Sequence, residues 1–303
     1  MSLNIARNEL YDLLAHIEGA YAPNTLRAYK ADMLEFISYC VANDECALPA
    51  SPSTISNFLL QTIQQGIKSS TIRRKVSSIS AIHRLTNLTD PTKQPEVKIA
   101  QRKIYRKLGT RFDQAHPINR PLLEKMVEAC ALDLRGLRDR ALLMVAYDTM
   151  RRRSELVSLR IEDIEWLSNG GASVLLRKNK TDQHGTGKWI HLSPETARAI
   201  RDWLLEAQIS FGYIFRGVRG MYTVLPSLSE SRIPRIFKSL AKRANLNAKT
   251  IRNISGHSMR VGGAQDLLSG GASLPQIMVK GGWAKTDTVM RYVDRIQPTS
   301  FVT

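Results

Sequence analysis

His257 and Arg260 stand three apart at the head of an otherwise small and apolar run, "GHSMRVGGAQDLL" (256–268). Residues at i and i+3 share a helix face. A helix start adds unpaired N–H groups and the positive end of the helix dipole, a setting suited to an anion. Alone, the pair describes a capped helix with two solvated side chains equally well. Three further signals lie in the same half of the chain. "YDTMRRRSELVSL" (147–159) sets Arg151, Arg152 and Arg153 ahead of Ser154 and Glu155, directly after an apolar stretch. Consecutive side chains point to different faces, so at most one or two of the three arginines can converge on one ligand. "RKNKTDQHG" (177–185) offers Lys178 and Lys180 in a polar turn, and "GGWAKTDTVMRYVDR" (281–295) supplies Trp283 and Tyr292. Singly, each fits plain structure: core aromatics, turn-solubilising lysines, arginines at a helix end.

The elements around these residues read as mostly helical. In the first third, "NTLRAYKADMLEFISYC" (24–40) places Leu26, Tyr29, Met33, Phe36, Ile37 and Cys40 on one stripe, with Asn24 as cap. "SPSTISNFLLQTIQQG" (51–66) opens on a Ser-Thr cap region and stops at Gly66, and "SSTIRRKVSSISAIHRL" (69–85) repeats the stripe through Ile72, Val76, Ile79 and Ile82. A fourth helix, from about 95 to 108, carries Val97, Ile104 and Leu108 on one side. Lys98, Arg102, Lys103, Arg106 and Lys107 cover the rest, with Glu96 as its single acid. A solvated face mixes signs, so this one reads as facing phosphates. "GTRFDQAHP" (109–117) lacks periodicity and reads as a linker.

Beyond it, "INRPLLEKMVEACA" restarts a helix with Asn119 as cap and Pro121 in the first turn, and "LRDRALLMVAYDTM" is apolar enough to be central. Ser173 to Leu176 and Lys188 to Leu192 are short β-type runs flanking the polar turn, a hairpin. Helices follow over about 194–207, 230–244, 257–269, 273–280 and 286–295. The fold class expected is mainly α with a small antiparallel β-sheet in the second domain.

With 303 residues, 43% of them apolar, two domains with real cores are expected. Forty-four Lys and Arg against 27 acids give +17, which predicts attraction to a polyanion, nucleic acid first. No apolar run approaches the ~18 residues of a membrane span, and the N-terminus has no signal-peptide pattern. Cys40, Cys46 and Cys130 lack metal-ligand spacing and read as ordinary thiols of a reducing cytosol. A phosphate-binding Gly-rich loop with Lys-Ser/Thr, CxxC, HExxH and G-x-S-x-G are all absent, which disfavours an ATP-driven motor or a zinc hydrolase.

The order of the signals is more specific than any one of them. "DTMRRRSEL", then a turn Lys, then "HSMRVGGAQDLL", then "IMVKGGWAKTDTVMRY" resembles the catalytic domain of the tyrosine recombinases, the phage-integrase family, and most nearly its Cre-type branch. "AYAPNTLRAYKADMLEFISYC" and "SSTIRRKVSSISAIHRL" are similar to the helical core-binding domain of the same proteins. The resemblance implies a SAM-like DNA-binding domain over 1–110, a linker at 111–116 and a catalytic domain over 117–303, closing on DNA as a C-shaped clamp. It implies Tyr292 as nucleophile, forming a 3′-phosphotyrosine and freeing a 5′-hydroxyl. Arg152 and Arg260 would donate to the non-bridging oxygens, His257 would take or share the Tyr292 proton, and Trp283 would pack the pocket and donate its indole N–H. Lys180, with Lys178 as substitute, would be the general acid, and Glu155 would order the site by positioning His257. Arg153 could add a DNA contact.

The function implied is a site-specific recombinase working without metal, ATP or cofactor. It would act as a homotetramer on two paired inverted-repeat sites in double-stranded DNA, through a Holliday junction, with "DRIQPTSFVT" (294–303) as the segment passed between protomers. A bacterial, phage or plasmid origin and a cytoplasmic, nucleoid-associated location go with it, with no membrane and no small-molecule substrate. Two other readings stand beside it: a type IB-like topoisomerase or nicking-closing enzyme, and a DNA-binding regulator that keeps the fold without the chemistry.

Overall fold

The computed structural model describes residues 3–109, 114–177 and 187–293. The chain forms two compact units, Met1–Asp113 and Gln114–Thr303. Among the described residues the first has five α-helices, α1 (Leu3–His16), α2 (Pro23–Ala42), α3 (Pro52–Gln64), α4 (Ser69–Leu85) and α5 (Pro95–Leu108), with a single 3-10 turn at Pro91–Lys93. Its core takes Met33, Phe36, Ile37 and Cys40 from α2, Ile55, Phe58 and Leu59 from α3, and Ile72, Val76, Ile79 and Ile82 from α4. Leu26 and Tyr29 lie at the edge of that stripe, half-buried. Two boundaries differ from the sequence reading. Helix α2 starts at Pro23 rather than after Asn24, because proline's fixed φ suits a first turn. Helix α1 lies outside the elements read from the sequence; among its described side chains Ala6 and Leu10 are buried.

Polar groups also tie α2 to α4. Asp32 accepts from Arg74 Nη1 at 2.9 Å and Ser78 Oγ at 2.7 Å, and buried Lys75 pairs with Glu35. In α5, Val97, Ala100, Gln101 and Ile104 face inward, while Lys98, Arg102, Lys103, Arg106 and Lys107 are all exposed. Leu108, read as part of the apolar side, is exposed in the helix's last turn.

The second unit runs α6 (Arg120–Glu128), α7 (Leu134–Thr149), α8 (Arg153–Ser158), β1 (Ile164–Trp166), β2 (Ala172–Leu176), β3 (Lys188–Leu192) and α9 (Pro194–Glu206). After these come β4 (Val218–Arg219), β5 (Thr223–Val224), α10 (Ile233–Arg243), α11 (Ala248–Asn253), α12 (Ser258–Ser269), α13 (Leu274–Gly281) and α14 (Thr286–Val293). The expected hairpin gains a third strand, giving an antiparallel sheet in the order β1-β2-β3, with Val174 facing both Ile164 and Ile190. The main core joins Leu142, Leu143, Val145 and Ala146 of α7 to Ile200 and Trp203 of α9 and to the inner face of the sheet. The mainly α class with a small antiparallel sheet is therefore what the structure shows.

A separate small core of Met150, Ala264, Ile277, Trp283, Val289 and Val293 lies where α12, α13 and α14 meet the end of α7. Close approach dictates one residue in it. A Cβ added at Gly262 would sit 1.9 Å from the Ile118 carbonyl oxygen, so α12 reaches the chain before α6 only with glycine there. None of the described helices is long and apolar enough to cross a membrane.

Candidate active site

The end of α7 sorts the three consecutive arginines. Met150 leaves the helix in the left-handed region, φ 48° and ψ 36°, and is fully buried. Arg152 is extended (φ −68°, ψ 153°) and caps α8. Each arginine thus takes its own direction. Arg151 turns inward, only 2% exposed, and donates from Nε to the Thr149 carbonyl at 2.9 Å and from Nη2 to the Lys280 carbonyl. Arg153 turns outward, its Nε 3.7 Å from Glu230 Oε2. Arg152 lies between them, partly exposed and held by one carboxylate. Glu155 accepts from the Arg152 Nη1 at 2.7 Å through one oxygen and from the Arg152 backbone N–H at 3.0 Å through the other. The sequence reading set Glu155 to position His257. Instead both of its oxygens meet Arg152, because i to i+3 spacing across a helix N-terminus returns the side chain to its own cap.

Arg260, on the first turn of α12, is almost wholly buried. Its guanidinium donates to the Met150 carbonyl, and its Cζ lies 4.5 Å from the centre of the Trp283 ring. Burial, then Arg152, pulls its pKa down to about 10, against the opposing effects of Tyr292 and Glu155. It remains cationic at neutral pH. Trp283 is itself buried and meets Tyr292 edge to face, ring centres 5.6 Å apart at 61°. Such a pair contributes about 0.5–1.5 kcal/mol beyond its buried area. Tyr292 is half-buried on α14, and its backbone carbonyl accepts from Gln265 Nε2 at 2.9 Å and Gln114 Nε2 at 3.2 Å.

His257 immediately precedes α12, its backbone N–H donating to Ser255 Oγ at 3.1 Å. Its side chain keeps an exposed edge, yet the protein around it removes part of its hydration. That desolvation, followed by repulsion from Arg260, Arg153 and Arg152, lowers its pKa below the ordinary imidazole value of 6.5. The ring is therefore neutral at pH 7 and able to accept a proton.

The structure thus gathers Arg152, Glu155, His257, Arg260, Trp283 and Tyr292 about one end of α12. Lys180 and Lys178 lie outside the described residues, as do residues 294–303. The basic residues of α5 belong to the first unit. Sequence reasoning missed Arg151, Lys188, Gln114 and Gln265. Arg151 was visible in the arginine triplet, and nothing in spacing alone separated it from its neighbours. The arrangement sets fixed cations, one of them stacked on an indole, beside a phenol and a neutral imidazole. That set suits an anion whose charge grows as the phenol attacks it.

Residues 119–297 match the phage integrase family, and residues 9–86 match its N-terminal SAM-like domain. The chain is 30% identical to an integrase/recombinase xerD homolog of Selenomonas ruminantium, the match covering 96% of this chain and 88% of that one. It is 26% identical to the recombinase cre of Escherichia phage P1, over 95% and 88% of the two chains. Among solved structures, XerH site-specific recombinase bound to palindromic difH substrate in a post-cleavage complex aligns with a TM-score of 0.65. That alignment covers 89% of this chain and 76% of the other at 16% identity, which speaks for the fold.

Proposed function

The chain belongs to the phage integrase family, and from that premise we propose that it is a site-specific DNA recombinase whose nucleophile is Tyr292. The observation that carries this reading is one contact series: Arg260 lies against Trp283, Trp283 against Tyr292, and Arg152 and His257 share their field. The XerH neighbour is bound to a palindromic difH substrate, which supports a substrate with inverted repeats here.

In the proposed reaction, the Tyr292 Oη attacks the scissile phosphorus. An O–P bond forms to tyrosine as the P–O5′ bond breaks, leaving a 3′-phosphotyrosine and a 5′-hydroxyl. The phenol proton passes to His257, whose neutrality at pH 7 suits a base. Arg152 and Arg260 donate to the two non-bridging oxygens, where planar, permanently charged donors are most useful. The Trp283 indole N–H faces the same phosphate. Glu155 serves by holding Arg152. Lys180, named by sequence alone, protonates the departing 5′-oxygen. Because the phosphotyrosine stores the bond, resealing needs no ATP, and the fixed cations take the part a metal would play.

Exchange between two duplexes requires four cuts, so four protomers act on two paired sites, passing through a Holliday junction. The C-terminal segment 294–303 joins neighbours in this proposal. Basic residues Lys98, Arg102, Lys103, Arg106 and Lys107 of α5, with Arg153, contact the DNA backbone.

A supercoiled plasmid carrying two copies of the DNA that flanks the gene tests this in EDTA without nucleotide. Recombinant product supports the reading. Relaxation of any plasmid without recombination favours a type IB-like topoisomerase, and binding without strand cleavage favours a regulator.

A further inference from the structure

We infer that Arg151 and Lys188 form a two-point clamp on the C-terminal end of α13, acting as positioning residues that hold Trp283 and Tyr292 in register with Arg152. The inference rests on the proposed role of Tyr292 and adds two residues to which the recombinase reading gives no part.

The last carbonyls of a helix lack intrahelical partners and carry the negative end of its dipole. At the end of α13 the Gly282 N–H returns to the Val279 carbonyl and the Trp283 N–H to the Met278 carbonyl, and donors from outside the helix add to the last turn. Two successive carbonyls receive them. Lys188 Nζ donates to the Val279 carbonyl at 2.5 Å, and Arg151 Nη2 donates to the Lys280 carbonyl. The donors come from different places, the turn between α7 and α8 and the first residue of β3. Arg151 is fixed independently through its Nε on Thr149.

The arrangement is costly without a purpose at that spot. A buried guanidinium bonded to carbonyls alone recovers less than one bonded to a carboxylate. A second cation beside it adds repulsion; burial and then Arg151 lower the Lys188 pKa. The partial negative charge at the end of α13 is what both cations share.

Gly282 shows how tightly the clamp is seated. It caps α13 in the left-handed region at φ 65°, and an added Cβ would lie 2.5 Å from Arg151 Nη1. The next residue is Trp283, which packs against Arg260 and Tyr292. On the other side, the residue after Arg151 is Arg152. The clamp therefore fixes the spacing between the turn that presents Arg152 and the segment that presents Trp283. Arg151 Nε and Nη2 and Lys188 Nζ are engaged with carbonyls, which fits positioning and leaves DNA affinity to other residues.

The test uses full-length protein on a nicked trapping substrate, with half-site Kd and the single-turnover cleavage constant measured separately. Arg151→Ala and Lys188→Met should each lower cleavage about tenfold, the value expected for loss of one charge-assisted hydrogen bond. Kd should stay within about threefold, as binding is shared among many phosphates. Lys188→Arg should restore cleavage to within about threefold of wild type, since it returns the charged donor. The double variant should be less impaired than the product of the singles, because both grip one helix end. Cleavage near the wild-type rate in both singles, a Kd loss matching the cleavage loss, or a double variant at the full product would overturn the clamp. If Arg151→Ala fails to fold, the Lys188 pair carries the same comparison, the residue being only half-buried. Wild-type protein that forms no adduct overturns the Tyr292 reading itself, whereas active wild type with unaffected variants overturns the clamp alone.

Discussion

Replacing Glu155 with alanine asks which partner the carboxylate serves. In the structure Glu155 is 4% exposed and holds Arg152 at two points, 2.7 Å to Nη1 and 3.0 Å to the backbone N–H. Without it, the Arg152 side chain regains its rotamers, and refreezing them in the transition state costs up to about 2 kcal/mol. That corresponds to roughly thirtyfold in cleavage rate. Deleting the guanidinium itself removes a donor to the developing charge, for which ~10²–10³ is typical. Glu155→Ala should therefore cleave roughly thirtyfold slower, and Arg152→Ala slower still. The double variant should be no slower than Arg152→Ala, because the carboxylate acts through that arginine. Combined with His257→Ala, by contrast, the two losses should multiply. Adduct formation on a trapping substrate, followed by denaturing gel, reads the three single and two double variants against wild type. Loss of the α8 cap, about 1 kcal/mol, appears separately in the unfolding midpoint. Glu155 and Arg152 losses that multiply, with Glu155 and His257 losses that do not, would show that the carboxylate serves His257 instead.

Three further outcomes follow from the geometry. Cleavage should fall as pH drops through the lowered His257 pKa, since the base must be neutral; Arg153→Ala removes one repelling charge. Its acidic limb should therefore move to higher pH, and an unshifted pH–rate profile would count against His257 as base. Gly262→Ala places a Cβ 1.9 Å from the Ile118 oxygen, so overpacking of about 1–3 kcal/mol should lower the thermal midpoint by circular dichroism; an unchanged midpoint would contradict that packing. Arg102, Lys103 and Arg106, all exposed on α5, should together account for about 2.7 of the slope of log K against log salt, ~0.9 for each phosphate contact. An equal slope in the triple alanine variant would remove α5 from the DNA interface.

The long amphipathic helices were readable because burial repeats along them: Met33, Phe36 and Ile37 form one stripe, Ile72, Val76 and Ile79 another. The shortest elements outside the hairpin were not. Strand β1 has three residues and helices α8 and α11 have six each, too few for a period to register. Their existence depends on neighbours distant in sequence, as β1 depends on β2. At the site, residue types and order made Arg152, His257, Arg260, Trp283 and Tyr292 visible, while their partners were hidden. Which residue Glu155 meets depends on the extended backbone at Arg152, and which way Arg151 turns depends on α13 arriving beside it. Both are tertiary facts with no periodic trace.

The central claim is that Tyr292 becomes covalently joined to DNA. Protein trapped on a nicked substrate from its own flanking DNA, in EDTA, can be digested with trypsin and nuclease and the modified peptide sequenced by mass spectrometry. The expected result is a nucleotide linked through its 3′-phosphate to the Tyr292 side chain, a free 5′-hydroxyl on the released strand, and no such peptide from Tyr292→Phe. A 5′-phosphate linkage, an adduct on any other residue, or an undiminished adduct from Tyr292→Phe would contradict it.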